Sequence, residues 1–154
     1  EAESPEAVPG GLDMPLGDMM EGRDQSLLRI RHYPPVEDAE PGAIRAAAHE
    51  DINLITLLLS GSKPGLQARD SDGAWHDIAC DPGMITINNG DMLALATGNH
   101  FPSTTHRVTN PDAGQNVSRY SMPMFLHPRP DAPLTADVTA DQYLQKRLKE
   151  IGLK

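Results

Sequence analysis

The sequence predicts a mainly β domain with one C-terminal helix packed on its outside. Three observations carry that expectation. Fourteen Pro and thirteen Gly among 154 residues cut the chain into short segments, which suits strands and turns better than a helical bundle. The apolar runs are short and bounded by turn residues; the most apolar, Ile52 to Leu59, has the length of a strand. Only near the C-terminus do apolar residues fall at helical spacing, at Leu144, Leu148 and Ile151.

Taken in order, residues 1–26 are acidic, rich in Pro, Gly and Met, and without periodicity. They read as a loop or tail, or as the remnant of an N-terminal region. Leu27 to Tyr33 (LLRIRHY) alternates in part and stops at Pro34-Pro35, a short strand with a hard end because proline donates nothing to a ladder. Glu37 to Ala48 reads as a loop with at most a helical turn. Ile52 to Leu59 reads as a buried strand. Leu66 to Arg69 and Ala74 to Ala79 flank Asp70-Ser71-Asp72-Gly73, whose Asp-Gly step supplies the positive φ of a tight hairpin. Met84 to Asn88 is a strand, and Met92 to Ala96 a strand or a helical turn. Thr104 to Thr109 and Val117 to Leu126 are strands joined by a polar loop, Asn110 to Asn116. Pro128 to Pro133 is a linker. Asp137 to Ile151 is helical, with Thr139 and Gln142 spaced as a capping box and Gly152 as a stop. The chain thus divides into residues 1–26, a β core over 27–130, and a linker with helix over 131–154.

This is one domain's worth of chain. Aromatic residues make up only 4%, so its core must be built mainly from Leu, Ile, Val, Met and Ala. Twenty-two acidic against thirteen basic residues give a net charge of −9. With no basic stripe, that balance argues against a nucleic-acid or anionic-membrane partner; acidity alone names no partner and mostly favours solubility. Oligomeric state is not written in the composition. The lone Cys80 rules out an internal disulfide framework and fits a reducing cytoplasm. No apolar run approaches the ~20 residues of a membrane span, and no signal peptide opens the chain.

The chemistry-bearing residues are His49-Glu50-Asp51 and, much later, His106. Two histidines and one carboxylate are the ligand set of a mononuclear non-haem Fe(II) site with open positions. On a strand, His49 and Asp51 share a face while Glu50 points away. A second strand must then bring in His106. Only neutral imidazole ligates, so metal affinity falls at acidic pH. Arg119 and Ser121, again two apart on a strand, are suited to holding a carboxylate beside the metal: the guanidinium pairs with it two-fold and the hydroxyl donates. Tyr33, on a rigid strand end before Pro34, is a third donor. No catalytic group beyond the metal ligands is called for. A histidine two residues from an aspartate is common by chance; the later histidine and the Arg-x-Ser pair are what make the set specific. His76 in a hairpin arm, His32 and His127 read as structural, and His100 as a candidate for a pocket mouth. Cys80 has no histidine at a spacing that suggests nucleophilic catalysis.

Several stretches together resemble a known group: RIRHYPPV, HEDINLITLLL, GAWHDI, GMITINNGDMLALATG, PSTTHRVTNP and RYSMPMFLHP, with the terminal TADQYLQKRLKEIG. From Leu27 to Pro130 the chain looks like the C-terminal, catalytic portion of an Fe(II)- and 2-oxoglutarate-dependent oxygenase of the isopenicillin N synthase-like superfamily. The resemblance implies a double-stranded β-helix, or jelly roll, with iron held by His49, Asp51 and His106. It implies Arg119 and Ser121 on the distal carboxylate of 2-oxoglutarate, Tyr33 beside them, and O2 as the oxidant. It also implies oxidation of a small organic substrate by hydroxylation, desaturation or cyclisation. Arg31 stands where plant members carry Asn. Members are usually about twice this long, so the expectation is that segments of the whole protein, an N-terminal region among them, lie outside these 154 residues. Two alternatives stay open on the sequence: an Fe(II) oxidase whose Arg-x-Ser pair holds the substrate's own carboxylate, and a non-catalytic metal-binding β domain. The substrate itself is not legible.

Overall fold

In a computed structural model the described residues are 12, 14–21, 26–35, 44–61, 63–110 and 117–153. They form α1 (Leu16–Met20), β1 (Leu27–Leu28), β2 (Arg31–Tyr33), β3 (Ile44–His49), β4 (Ile55–Leu59), β5 (Leu66–Arg69), β6 (Trp75–Asp77), β7 (Ile85–Asn89), α2 (Asp91–Ala96), β8 (His106–Thr109), β9 (Arg119–Leu126), β10 (Pro133–Thr135), β11 (Val138–Thr139) and α3 (Ala140–Glu150). One antiparallel sheet runs β1-β9-β4-β7, with β2 also on β9; the other runs β3-β8-β5-β6. Side chains from both line a single cavity. This is the mainly β jelly roll that the sequence predicts, with its C-terminal helix.

The hairpin at Asp70 to Gly73 is as read: Arg69 pairs with Trp75, and Gly73 takes φ +86°. The capping box of α3 is complete, Thr139 Oγ1 accepting from the Gln142 N–H and the Gln142 side chain from the Thr139 N–H. Gly152 turns the chain out at φ +74°. Among the described residues no helix is long and apolar enough to cross a membrane, and Cys80 is a free, half-buried thiol.

Four expectations change and one open alternative resolves. Part of the acidic N-terminal stretch is α1, whose Met19 is fully buried; residues 1–11, 13 and 22–25 lie outside the described residues. The loop expected over Glu37 to Ala48 contains most of β3, with 36–43 outside the described residues. Met92 to Ala96 is the helical alternative, in α2. The linker ahead of the last helix gives way to a β10–β11 hairpin with Leu134 buried. The strand expected over Leu27 to Tyr33 is broken in two. Opposite the break lies Pro123: the Arg29 N–H donates to the Pro123 carbonyl at 2.9 Å, and proline has no N–H for the return bond. Residues 111–116 of the polar loop after β8 also lie outside the described residues.

The main apolar cluster does not sit between the sheets. Met19, Leu54, Met92, Leu93, Ala96, Ala132, Leu134 and Ala140 gather at one end, where α1, α2, the hairpin and the start of α3 meet. There Asp91 ties the helices together. It accepts from Ser103 Oγ at 2.9 Å and from the Tyr143 hydroxyl at 3.3 Å, and faces Arg147 Nε at 3.5 Å. Burial and the neighbouring Asp91 carboxylate push the Tyr143 phenol up to about 12, so it stays a donor.

The cap of α3 gives a direct check. Thr139→Ala removes the acceptor for one helix N–H and should lower stability by about 1 kcal/mol, read as a shift in urea midpoint at unchanged slope.

Candidate metal centre

Asp51, with Glu50 between, lies two residues past the end of β3 at His49, off the strand that the sequence expected to carry both ligands. Its carboxylate is 8% exposed, and burying an anion without partners is costly. Two neighbours on the inner face of the large sheet supply them. Thr56 Oγ1 donates to Asp51 Oδ2 at 2.6 Å and Asn88 Nδ2 to the same oxygen at 3.2 Å. Thr56 and Asn88 are directly opposed across β4 and β7, so sheet register delivers both. Asn53 Nδ2 in turn donates to Thr56 Oγ1 at 3.0 Å. The backbone of this corner is held by the start of α2: N–H groups of Gly90, Asp91 and Met92 donate to the carbonyls of Leu54, Asp51 and Asn53. Gly90 is required there, since a Cβ would lie 2.2 Å from the Asn53 carbonyl oxygen.

The two histidines are register partners, His49 of β3 opposite His106 of β8. Each directs Nδ1 at a backbone carbonyl, His49 at Ala47 (2.8 Å) and His106 at Thr104 (2.9 Å). That bond fixes the N–H on Nδ1 and leaves each Nε2 lone pair aimed inward, the arrangement metal-ligating histidines use. His49 Nε2 lies 3.9 Å from Asp51 Oδ1, and His106 Nε2 3.9 Å from Asp51 Oδ2. One donor atom from each residue falls within 4.8 Å of the others. Imidazole nitrogen with a single carboxylate suits a borderline divalent ion. Glu50 points elsewhere, accepting from Thr105 Oγ1 at 2.7 Å.

Strand β9 carries Arg119, Ser121 and Pro123 inward and Tyr120 and Met122 outward. Arg119 is 3% exposed. Its Nε donates to the Lys63 carbonyl at 3.0 Å, its guanidinium lies 5.5 Å from the Tyr33 ring centre, and Gly61 makes room for it, a Cβ there standing 2.9 Å from Nη2. Burial pushes the guanidinium below its ordinary value, with Tyr33 opposing. Buried Nη1 has no partner among the described residues. An orphaned cationic donor aimed into a cavity calls for an anion. Tyr33, Arg119, Ser121, His49, Asp51 and His106 all line the same cavity of about 130 Å³.

The other histidines separate clearly. His76 pairs with Asp70 at 2.5 Å, a hydrogen bond that lowers the Asp70 carboxyl. His32 stacks on Tyr120 on the outer face. His100 is exposed against Phe101 and lines neither space beside the trio. His127, read as structural, instead lines a wider pocket outside the trio; burial pushes its imidazole down and Asp51 opposes this. Thr56 and Asn88 were not legible as site residues. Their signal was inward parity on strands whose pairing the sequence does not state.

Comparison with known proteins agrees with this geometry. The family model of the 2OG-Fe(II) oxygenase superfamily matches residues 24–128. A flavonol synthase/flavanone 3-hydroxylase of Eustoma exaltatum subsp. russellianum is 33% identical over 105 residues, 68% of this chain and 30% of that protein. A 2-oxoglutarate-dependent dioxygenase of Didymella fabae is 33% identical over 129 residues, 81% of this chain and 35% of that protein. Among solved structures, a Shewanella oneidensis protein described as an oxygenase superposes with TM-score 0.85 at 50% identity, over 98% of this chain and 56% of that one. A full-length Neurospora crassa protein solved in complex with alpha-KG superposes with TM-score 0.72 at 29% identity, over 82% and 45%. The chain thus spans about a third of the length of these curated relatives and about half of these solved ones.

Two substitutions probe the supports rather than the ligands. Thr56→Val removes a donor to Asp51 and should weaken divalent-metal affinity about 10- to 100-fold, measured by competition with a chelating dye. Gly61→Ala presses on the Arg119 guanidinium and should lower stability while metal affinity stays constant in the same assay.

Proposed function

Because the chain belongs to the 2OG-Fe(II) oxygenase superfamily, we propose that it is the metal- and co-substrate-binding portion of an Fe(II)- and 2-oxoglutarate-dependent dioxygenase acting on a small organic molecule. The observation that carries this reading is that one cavity joins the His49, Asp51 and His106 donors to Arg119, whose Nη1 has no partner among the described residues.

In this reading His49, Asp51 and His106 hold the iron. Arg119 takes the distal carboxylate of 2-oxoglutarate, with Ser121 and the Tyr33 hydroxyl donating to the same end. When bound, Fe(II) and 2-oxoglutarate supply oxidative decarboxylation with O2, giving succinate and CO2 and an oxidised substrate. The chain's own part is to place and to shield. Thr56 and Asn88 aim Asp51; the Nδ1 bonds fix the tautomer and orientation of both imidazoles. The cavity is far below the ~300–1,000 Å³ of pockets for drug-sized ligands, which suits a short diacid and keeps bulk water from it. A single carboxylate leaves a divalent ion with residual positive charge, which favours an anionic co-substrate. The N. crassa relative is solved with alpha-KG, in support. The free Cys80 supports a reducing, cytoplasmic setting.

Anaerobic reconstitution with Fe(II), then O2 uptake and succinate release against a metabolite panel, is the test. His49→Ala and Asp51→Ala should abolish iron retention; stoichiometric iron in either would refute the ligand set. Arg119→Ala should weaken 2-oxoglutarate binding by about 1.5–3 kcal/mol. O2 consumed without succinate would move the chain to the oxidase alternative.

A further inference from the structure

Past the metal trio the cavity gives onto a wider, more open pocket of about 640 Å³ that also reaches His49 and Asp51. Arg31 lines both spaces. Strand geometry explains why. Arg31 pairs with Ser121 and Tyr33 with Arg119, Leu27 pairs with Phe125, and the Arg29 N–H bonds the Pro123 carbonyl. The inward parity of β9 is therefore shared by the edge row Leu27, Arg29, Arg31, Tyr33. Two cations on that row face the pocket, in a chain of net charge −9.

Their pairing differs from that of the third arginine in the wall. Arg147 is met by Glu150 at 2.8 Å and by Asp91 at 3.5 Å. Arg29 lies over the Phe125 ring at 5.6 Å. Half-buried Arg31 has no hydrogen-bonding or carboxylate partner for its guanidinium among the described residues. A planar fork of this kind, facing an open pocket, can take a carboxylate two-fold. The wall farther from the metal trio is largely apolar, with Leu144, Leu148 and Ile151 of the α3 stripe and with Leu27 and Phe125, while Glu50, Asn53, Thr105 and His127 are its polar members.

We propose that this pocket receives the prime substrate and that Arg31, with Arg29 beside it, binds a carboxylate on it, while α3 covers an apolar body. Naming the ligand the prime substrate rests on the oxygenase reading. The anion site itself rests on Arg31 and is separate from the Arg119 clamp.

Calorimetric titration of the full chain with 3-phenylpropanoate and its neutral isostere 3-phenylpropanamide tests this without iron or turnover. The acid should bind about ten-fold more tightly than the amide, as one charge-assisted hydrogen bond requires. Arg31→Met should erase that preference and leave amide affinity within about two-fold, and Arg31→Gln should do the same if methionine disturbs the strand. Arg119→Met should keep the preference. Equal affinity for acid and amide, a preference surviving both Arg31 variants, loss of preference in Arg119→Met alone, or no binding of either probe would each overturn the proposal. Acid binding through Arg31 in a chain that retains no iron would support the anion site and count against the oxygenase reading alone.

Discussion

The buried carboxylate of Asp51 is the constraint around which the rest of this structure is arranged. A carboxylate at 8% exposure needs hydrogen bonds to the charged form and a cation to complete it. Thr56 and Asn88 provide the first, and they can do so only if β4 and β7 pair in their observed register. The corner that carries Asp51 leaves regular structure, so its carbonyls must find donors elsewhere; the first N–H groups of α2 provide them. That places α2 directly under the corner, and the apolar cluster forms around it, with Leu54 from the corner and Met92 and Leu93 from the helix. The packing of the helical end and the aim of the Asp51 carboxylate are thus one arrangement.

It also explains a division of labour in the fold. Sandwich domains ordinarily fill the space between their sheets with apolar side chains. Here apolar side chains such as Leu58, Leu66, Ile78 and Val108 share that space with the histidines, Asp51, Arg119 and Ser121 around a void, and voids and buried polar groups both subtract from stability. Burial at the helical end offsets this. Strand β9 makes the division sharp. Side chains alternate across a sheet with period two, so a slip of one residue would turn Arg119 and Ser121 outward and bring Tyr120 and Met122 in. Five consecutive pairs with β4 hold that register, and Pro123, lacking an N–H, breaks the edge strand on the other side at Arg29 and Ile30.

Much of this was legible because the informative residues obey local rules. Asp-Gly in a hairpin, Thr-x-x-Gln at a helix start and alternating His106-to-Thr109 and Arg119-to-Leu126 segments encode their own conformations. The pairing of a histidine with an aspartate two residues on, a distant second histidine and an Arg-x-Ser pair marked the residues that the fold gathers into one cavity. What stayed hidden depends on partners distant in sequence. Ile44 to Ala48 holds Arg and three alanines, with no β-rich signature, and becomes a strand because β8 pairs with it. Met19 sits in an acidic, aperiodic stretch yet is fully buried, since tertiary contact rather than propensity decides short helices. Thr56 and Asn88 look like ordinary strand residues until register sets them against Asp51.

The electrostatics of the cavity point the same way as its geometry. An acidic chain has no need of inward-facing arginines for solubility, and its surface charge argues nothing about the interior. Yet Arg119 and Arg31 both face the inter-sheet space, opposite a single buried carboxylate. With a divalent cation among His49, Asp51 and His106, that carboxylate is more than balanced, and both guanidinium groups remain uncompensated. A dianionic co-substrate on the metal and Arg119 neutralises most of the excess and leaves one positive charge, at Arg31. A second, monoanionic ligand entering through the wider pocket would complete the balance, which is the chemistry that the guanidinium of Arg31, without a carboxylate partner among the described residues, also fits.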